Sequence, residues 1–273
     1  MTESRTLLVR CDASVAIGTG HAMRCLALAQ AWQDAGGGVV FAMAHATPAV
    51  EDRLRREDIE VARLKADPGS GDDTQETIAL AREKRVSWVV VDGYSFGADY
   101  QTALNDAGLK VLFIDDNGHA GHYSADLVLN QNAHANEELY GSRDVSTKLL
   151  LGPRFALLRR EFAAWRGWKR EIPAVARKVL VTMGGSDPDN VTQRVVETIL
   201  SEGDFETMIV AGGSNPHLAR LREFVKDRGH AVRLVENASN MPELIASADV
   251  AVAGAGTTCW EMCFLGLPAL LMN

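Results

Sequence analysis

Short runs of β-branched and other apolar residues alternate along this chain with stretches of helical periodicity, and this alternation constrains the fold more than any other feature. Thr6–Arg10, Gly38–Ala44, Trp88–Asp92, Val111–Asp115 and Leu127–Asn130 read as strands, with His21–Ala35 and Gln75–Lys84 among the helices between them. A second series runs Lys178–Thr182, Thr207–Ala211, Val232–Val235, Val250–Ala253 and Ala269–Met272. Strands separated by helices pair in parallel, and a parallel sheet needs both faces covered. The expected architecture is therefore α/β: two Rossmann-like domains with parallel sheets, spanning 1–172 and 173–273, with a ligand in the interdomain cleft beyond the carboxyl ends of the strands. Leu151–Ile172, rich in Arg and Trp and followed by Pro173, reads as a terminal helix of the first domain plus the linker.

Three of the strand-to-helix passages break at glycine: Gly18-Thr19-Gly20-His21, Gly184-Gly185-Ser186-Asp187 and Gly254-Ala255-Gly256-Thr257-Thr258. Each reads as a tight turn into a helix N-terminus. Unpaired N–H groups and the positive end of a helix dipole suit a phosphate or pyrophosphate there. Only the first turn ends in a histidine, which adds a titratable group to a phosphate-type cradle. Two familiar nucleotide motifs are absent. The pattern G-x-G-x-x-G fails because Met23 and Cys259 occupy the third glycine positions, and no Gly-Lys-Ser/Thr occurs. No cofactor is expected.

A chain of 273 residues can bury two cores. A net charge of -8 and a pI near 5.4 oppose binding to nucleic acid or an anionic membrane surface, so the expected partner is a small molecule. No apolar run approaches the roughly 20 residues of a membrane span, and Arg10 and Asp12 interrupt the region where a signal peptide would be apolar. A cytoplasmic location is expected. Cys11, Cys25, Cys259 and Cys263 lack paired C-x-x-C spacing and read as reduced, buried thiols. His119, His122 and His134 form no i, i+4 pair, and no metal site is expected from them.

Arg10-Cys11-Asp12-Ala13-Ser14, Ile17-Gly18-Thr19-Gly20-His21-Ala22-Met23-Arg24-Cys25 and Val91-Asp92-Gly93-Tyr94 stand in the first half of the chain. Ile114-Asp115-Asp116, Leu129-Asn130-Gln131-Asn132, Leu151-Gly152-Pro153, Met183-Gly184-Gly185-Ser186-Asp187-Pro188 and Asn240-Met241-Pro242-Glu243-Leu244 follow in order. Together these segments resemble the pseudaminic-acid pathway UDP-sugar hydrolases over nearly the whole chain. That family has the two-domain glycosyltransferase-B fold. The segment Ala253–Glu261 with Gly266-Leu267-Pro268 is similar to the UDP-binding half of the lipid-II-forming N-acetylglucosaminyltransferase. The resemblance implies a metal-independent, inverting hydrolysis of a UDP-linked 2,4-diacetamido-2,4,6-trideoxyhexose. It also implies further chain beyond Asn273, including an Asn-Gln-containing segment, so the second domain reads as cut short.

His21, at the start of a helix whose dipole favours a neutral imidazole, is the expected general base toward water. Arg24, three residues on, faces the same way and is placed to reach a phosphate oxygen or to brace His21. Gly18 and Gly20 shape the turn. Asp12, Asp92 and Tyr94, with Asp115 and Asp116, fall at or just past strand ends and are placed to line a sugar pocket or orient the histidine. The resemblance assigns Glu261 to the ribose hydroxyls, Gly256, Thr257 and Thr258 to the diphosphate with the two threonines capping the helix, Gly184, Gly185 and Ser186 to the same diphosphate, and Asn240 and Met241 to the uracil. Two alternatives remain open: a UDP-sugar glycosyltransferase and a non-catalytic nucleotide-sugar-binding module.

Overall fold

A computed structural model describes residues 6–272. The chain forms two compact units, one built from residues 6–13, His21–Ala46 and Glu51–Leu157, the other from Ser14–Gly20, Thr47–Val50 and residues 158–272. Each contains one parallel sheet.

The first sheet holds β1 (Thr6–Cys11), β2 (Gly38–Met43), β3 (Glu60–Arg63), β4 (Trp88–Asp92), β5 (Lys110–Ile114), β6 (Leu127–Asn130) and β7 (Lys148–Leu151). Their spatial order is β3-β2-β1-β4-β5-β6-β7. The chain thus builds outward from β1 on one side, then returns to lay β4 on the other. The carboxyl ends of β1 and β4 lie side by side, Cys11 opposite Asp92. Loops leaving adjacent strands in opposite directions open a crevice there, the usual ligand position of such sheets. Alternation decides the packing. Leu8, Val89, Val91, Val111 and Phe113 bury one face against Ile78 and Ala81 of α3 (Gly71–Glu83) and Tyr100 and Leu104 of α4 (Ala98–Asp106). Leu7, Val9, Cys11 and Val90, the intervening positions, are buried as well, as a doubly covered parallel sheet requires.

The second sheet holds β8 (Lys178–Thr182), β9 (Glu206–Ala211), β10 (Val232–Glu236), β11 (Val250–Gly254) and β12 (Ala269–Met272), ordered β10-β9-β8-β11-β12. Its switch point falls between β8 and β11, where Thr182 pairs with Ala253. Leu180, Val210 and Ala251 face one core with α7 (Met241–Ser247) and α8 (Thr258–Phe264). Val179, Val181 and Ile209 face the other, with Val196 of α5 (Val191–Glu202) and Leu221 and Phe224 of α6 (Leu218–Lys226).

Two expectations change. The passage 151–172 is not a terminal helix of the first unit. It contains β7's end and two short 3-10 segments, Pro153–Phe155 and Arg160–Trp165, and from Leu158 onward it belongs to the second unit. The helical spacing of Leu158, Phe162 and Trp165 is real, but these side chains pack on the second unit's core beside Leu244, Ile245 and Met262. Arg170 fixes the same segment by donating to the carbonyls of Ile245, Ala248 and Leu265. Along this passage the second compact unit takes over at Leu158. Of the four cysteines, Cys11 and Cys25 are buried as expected, whereas Cys259 is half-buried and Cys263 exposed on α8; all four are free thiols.

Candidate active site

Of the three glycine passages, only the last is the expected tight turn. After β1 the chain runs through residues 12–19, closed by an antiparallel bridge between Ser14 and Gly18, before α1 (Gly20–Asp34) begins. Gly18, at φ +83°, takes the left-handed conformation that ends this excursion. After β8 the glycines stand well before α5, which starts at Val191. The N-terminal amides of α5 are already occupied: Asp187 accepts from Val191 N at 2.8 Å and Thr192 N at 3.0 Å. A carboxylate in that position supplies the anion a helix N-terminus favours. Gly184, Gly185 and Ser186 therefore form a loop over the carboxyl end of β8, not the mouth of a helix. After β11 the strand ends at Gly254 and α8 begins at Thr258, so Gly256, Thr257 and Thr258 do make a compact turn. Thr257, at the N-cap, makes no side-chain capping bond, and the hydroxyl expected to cap the helix does not do so.

The crevice of the first sheet assembles most of the expected residues. His21, in the first turn of α1, places Nδ1 2.6 Å from Asp92 Oδ1. Arg24, one turn further, donates Nε to Asp92 Oδ2 and Nη2 to Asp92 Oδ1, both at 2.6 Å. Its Nη1 reaches Asp116 Oδ1 and Oδ2 at 2.9 and 2.7 Å. Cys25 Sγ adds a bond to Asp92 Oδ2 at 3.3 Å. Burial alone would push the Asp92 carboxyl up, but the Arg24 guanidinium and the His21 ring outweigh it and hold the group well below the usual carboxylate range. An ionised Asp92 only accepts, so His21 Nδ1 donates to it. Arg24 Nη2 also stands 3.2 Å from Nδ1, yet two donors cannot bond each other. The imidazole is thereby held in the tautomer whose Nε2 lone pair is free.

Of the two roles expected of Arg24, a phosphate contact and a brace for His21, the geometry fits the second, acting through Asp92. Arg24 is buried, and both edges of its guanidinium are taken by carboxylates. Asp12 spends most of its acceptors within the fold: its Oδ2 pairs with buried Arg10 at 2.8 Å and its Oδ1 accepts from Ala44 N and His45 N. Arg10 in turn forks onto Asp73, and the group ties the ends of β1 and β2 to α3.

Tyr94 is exposed and meets the His21 ring edge-on, with centroids 5.2 Å apart. Burial of its hydroxyl and the negative charge of Asp116 push the phenol up, so it stays protonated. His119 stands edge-on to the other side of Tyr94 at 5.5 Å. The nearness of Asp115, 3.2 Å from Nδ1, pushes the imidazole up, and the Asp115 carboxyl is lowered to about 2: burial opposes this, and His119, Tyr123 and the Asn117 amide outweigh it. Asn132 Nδ2 donates to Asp116 Oδ1 at 2.6 Å and completes the wall. His119 and Asn132 carry no sign of this role in their own sequence surroundings, although the Asp115-Asp116 doublet at a strand end marks the place.

In the second unit, the loops after β8 and β11 adjoin at the switch point, where a Cβ on Gly254 would lie 3.5 Å from the Met183 backbone. Glu261 is buried on α8 and paired through Oε1 with Arg159. Burial pushes its carboxyl up, against the opposing pull of Arg159. Met241 buries its side chain in the core, and Asn240 is exposed with no capping bond, so only their backbone or the Asn240 side chain is available to a ligand. Among the described residues no group of three or more His, Cys, Asp or Glu side chains is arranged to hold a metal ion, and no helix is long and apolar enough to cross a membrane.

Two parallel-sheet α/β units of this kind, each with its candidate residues at a strand-order switch, define the glycosyltransferase-B type of fold. Residues 179–272 match the profile of the glycosyltransferase family 28 C-terminal domain. Uncharacterized protein MJ1062 of Methanocaldococcus jannaschii is 24% identical over 268 residues, covering 96% of this chain and 54% of that one. Spore coat polysaccharide biosynthesis protein SpsG of Bacillus subtilis is 25% identical over 166 residues, covering 60% and 48%. The chain spans about half the length of these curated relatives. Among solved structures, Anabaena Alr3699/HepE in complex with UDP-glucose superposes with a TM-score of 0.58 at 14% identity, over 97% of this chain and 80% of that one.

Proposed function

We propose that this chain hydrolyses a UDP-linked 2,4-diacetamido-2,4,6-trideoxyhexose, releasing UDP and the free sugar by attack of water at C1 with inversion. The observation that carries this reading is the His21–Asp92 pair: a carboxylate fixes Nδ1–H and leaves Nε2 to accept a proton from water. The surrounding charge is acidic. Among the described residues Arg24 is the one guanidinium bonded to Asp92 and Asp116, and it faces two carboxylates. Such a setting repels a diphosphate but stabilises the positive charge that develops at an anomeric carbon as its leaving group departs. Water and sugar then belong with the first unit. Tyr94 offers its exposed ring to a pyranose, and Asn132 and Asp116 offer polar edges.

UDP is assigned to the second unit, in agreement with the family 28 match and with the UDP-glucose in HepE. Backbone amides at Gly184, Gly185 and Ser186 and at the Gly256-Thr257-Thr258 turn receive the diphosphate, Glu261 the ribose, and Asn240 and Met241 the uracil. A good leaving group held by such donors needs no separate acid. The identity of the sugar rests on the resemblance in the segments around His21 and Asp92, and the part SpsG plays in polysaccharide biosynthesis is compatible with it.

Hydrolysis in ¹⁸O-water tests the bond that breaks. Label is expected on the sugar with UDP released intact; label on phosphate, or UMP and a sugar phosphate, would overturn the mechanism. The family 28 match also favours a second reading, transfer of the sugar to an acceptor. That reading predicts no UDP release from the same substrate in water alone and its onset when an acceptor is added.

A further inference from the structure

Glu261 carries a buried acceptor that no described residue satisfies. Its Oε1 takes both Arg159 Nε, at 2.9 Å, and Arg159 Nη2, at 2.8 Å. Its Oε2 is buried and has no hydrogen-bond partner. The third face of the guanidinium, Nη1, is held by Glu161 Oε1 at 3.0 Å, and the Arg159 group stacks over Phe162 at 5.7 Å. Arg159 is thus clamped from three sides and concentrates its donors on one oxygen of Glu261. Buried carboxylate oxygens are rarely left unpaired, and the fork onto Oε1 orients Oε2 while leaving it open to other donors.

We propose that Arg159 is a positioning residue that fixes Glu261 through Oε1 with Oε2 reserved for a ribose diol, and so sets a preference for ribonucleotides over 2′-deoxyribonucleotides. This rests on the assignment of Glu261 to the ribose in the proposed function. A vicinal diol brings two O–H donors, which a carboxylate can accept and a neutral carboxyl group cannot accept as well. Without Arg159, burial acts on Glu261 unopposed, with Glu161 beside it adding like charge. Glu261 would then be neutral over a wider pH range.

Calorimetric titration of the full chain with UDP and with 2′-deoxy-UDP tests this. Wild type is expected to bind UDP at least about tenfold more tightly, the scale of one charge-assisted hydrogen bond. In Glu261→Gln the ratio falls below about threefold, and in Arg159→Met it falls as far, with no further loss when the two changes are combined. As pH falls from 8.5 to 6, UDP affinity should decline from a higher pH in Arg159→Met than in wild type, and not at all through this group in Glu261→Gln. Arg159→Lys, a point charge that cannot fork onto Oε1, is the second variant should Arg159→Met fail to fold, and its ratio should drop by at least about threefold. A ratio and pH course unchanged in the Arg159 variants, while Glu261→Gln abolishes the ratio, overturn the positioning role alone. A wild-type ratio near one, with Glu261→Gln unaffected, overturns the ribose assignment and this proposal with it.

Discussion

Asp92→Asn keeps the volume of the side chain and removes its charge, and the local geometry fixes the consequence for His21. In the native site Oδ1 accepts from His21 Nδ1 and Arg24 Nη2, and Oδ2 from Arg24 Nε and Cys25 Sγ. An amide has one acceptor oxygen, so one of these sides must face an NH₂ group. Arg24 donates to both sides, through Nη2 and Nε, but only the Oδ1 side also holds a group that can accept, His21 Nδ1, so the NH₂ turns toward His21 and the oxygen toward Arg24 Nε and Cys25 Sγ. The imidazole then accepts at Nδ1 and carries its proton on Nε2, where a base is needed. Loss of general-base catalysis lowers kcat by a factor on the order of 10²–10⁴. Breaking one partner out of a buried pair costs about 3–5 kcal/mol, and the lower end applies because Asp116 still holds Arg24. For a domain of this size about 3 kcal/mol lowers Tm by roughly 6–12 °C. The acid side carries a second signature. A carboxyl held low in the folded state contributes stability above its unfolded pKa of about 3.9, and that stability is lost as pH falls further. Wild type should therefore lose Tm between about pH 5 and 3 more steeply than Asp92→Asn. UDP release at saturating substrate gives kcat, and scanning calorimetry gives Tm. A variant with lowered Tm but kcat within about threefold of wild type would show that Asp92 only braces α1, and the base mechanism would be wrong.

His21→Asn is expected to lower turnover by about 10²–10⁴ while calorimetry finds UDP affinity within about twofold of wild type, because UDP is assigned to the other unit; a parallel loss of UDP binding would return His21 to the phosphate. Exhaustive chelation should leave the hydrolysis rate unchanged, since amides and helix termini are assigned the neutralisation of the diphosphate, and activity lost to chelation and restored by Mg²⁺ or Mn²⁺ would refute this.

The central strands of the second unit, β8, β9 and β11, were legible because each is an almost unbroken apolar run packed between two cores, while β12 was legible from its apolar run alone, for it is an exposed edge strand. β3 and β7 were not. Glu60-Val61-Ala62-Arg63 is a short polar edge strand, and Lys148–Leu151 an edge strand with partly exposed residues, so neither carries the signal of a central strand. At the site, His21, Arg24, Asp92 and Tyr94 were visible as residues, but their pairing was not. His21 and Asp92 meet because β4 lies beside β1, a consequence of strand order over a separation of 71 residues. Asp187 was hidden inside a glycine-rich string that reads as a phosphate loop, although an Asp placed shortly before a helix is also a capping signal. Arg159 stands in a passage that reads as helix and linker. Nothing in its own neighbourhood points to Glu261, 102 residues further on.

The two switch points divide the chemistry by charge. At the first, the bonded ions are Arg24 against Asp92 and Asp116, with Asp115 behind them held ionised by three backbone amides and the Tyr123 hydroxyl. The guanidinium of Arg24 has no donor edge left over for an anion. At the second, carboxylates have taken the N-terminus of α5 through Asp187 and the Arg159 fork through Glu161 and Glu261. The amides of the turn after β11 and the loop after β8 are the remaining groups of anion-binding chemistry that the glycine passages offer. A phosphorus-centred attack would require the base and the phosphate to share one site, and His21 shares its own with carboxylates. The carbon-centred attack requires only that a base stand among groups that tolerate positive charge, and it is the chemistry this arrangement suits.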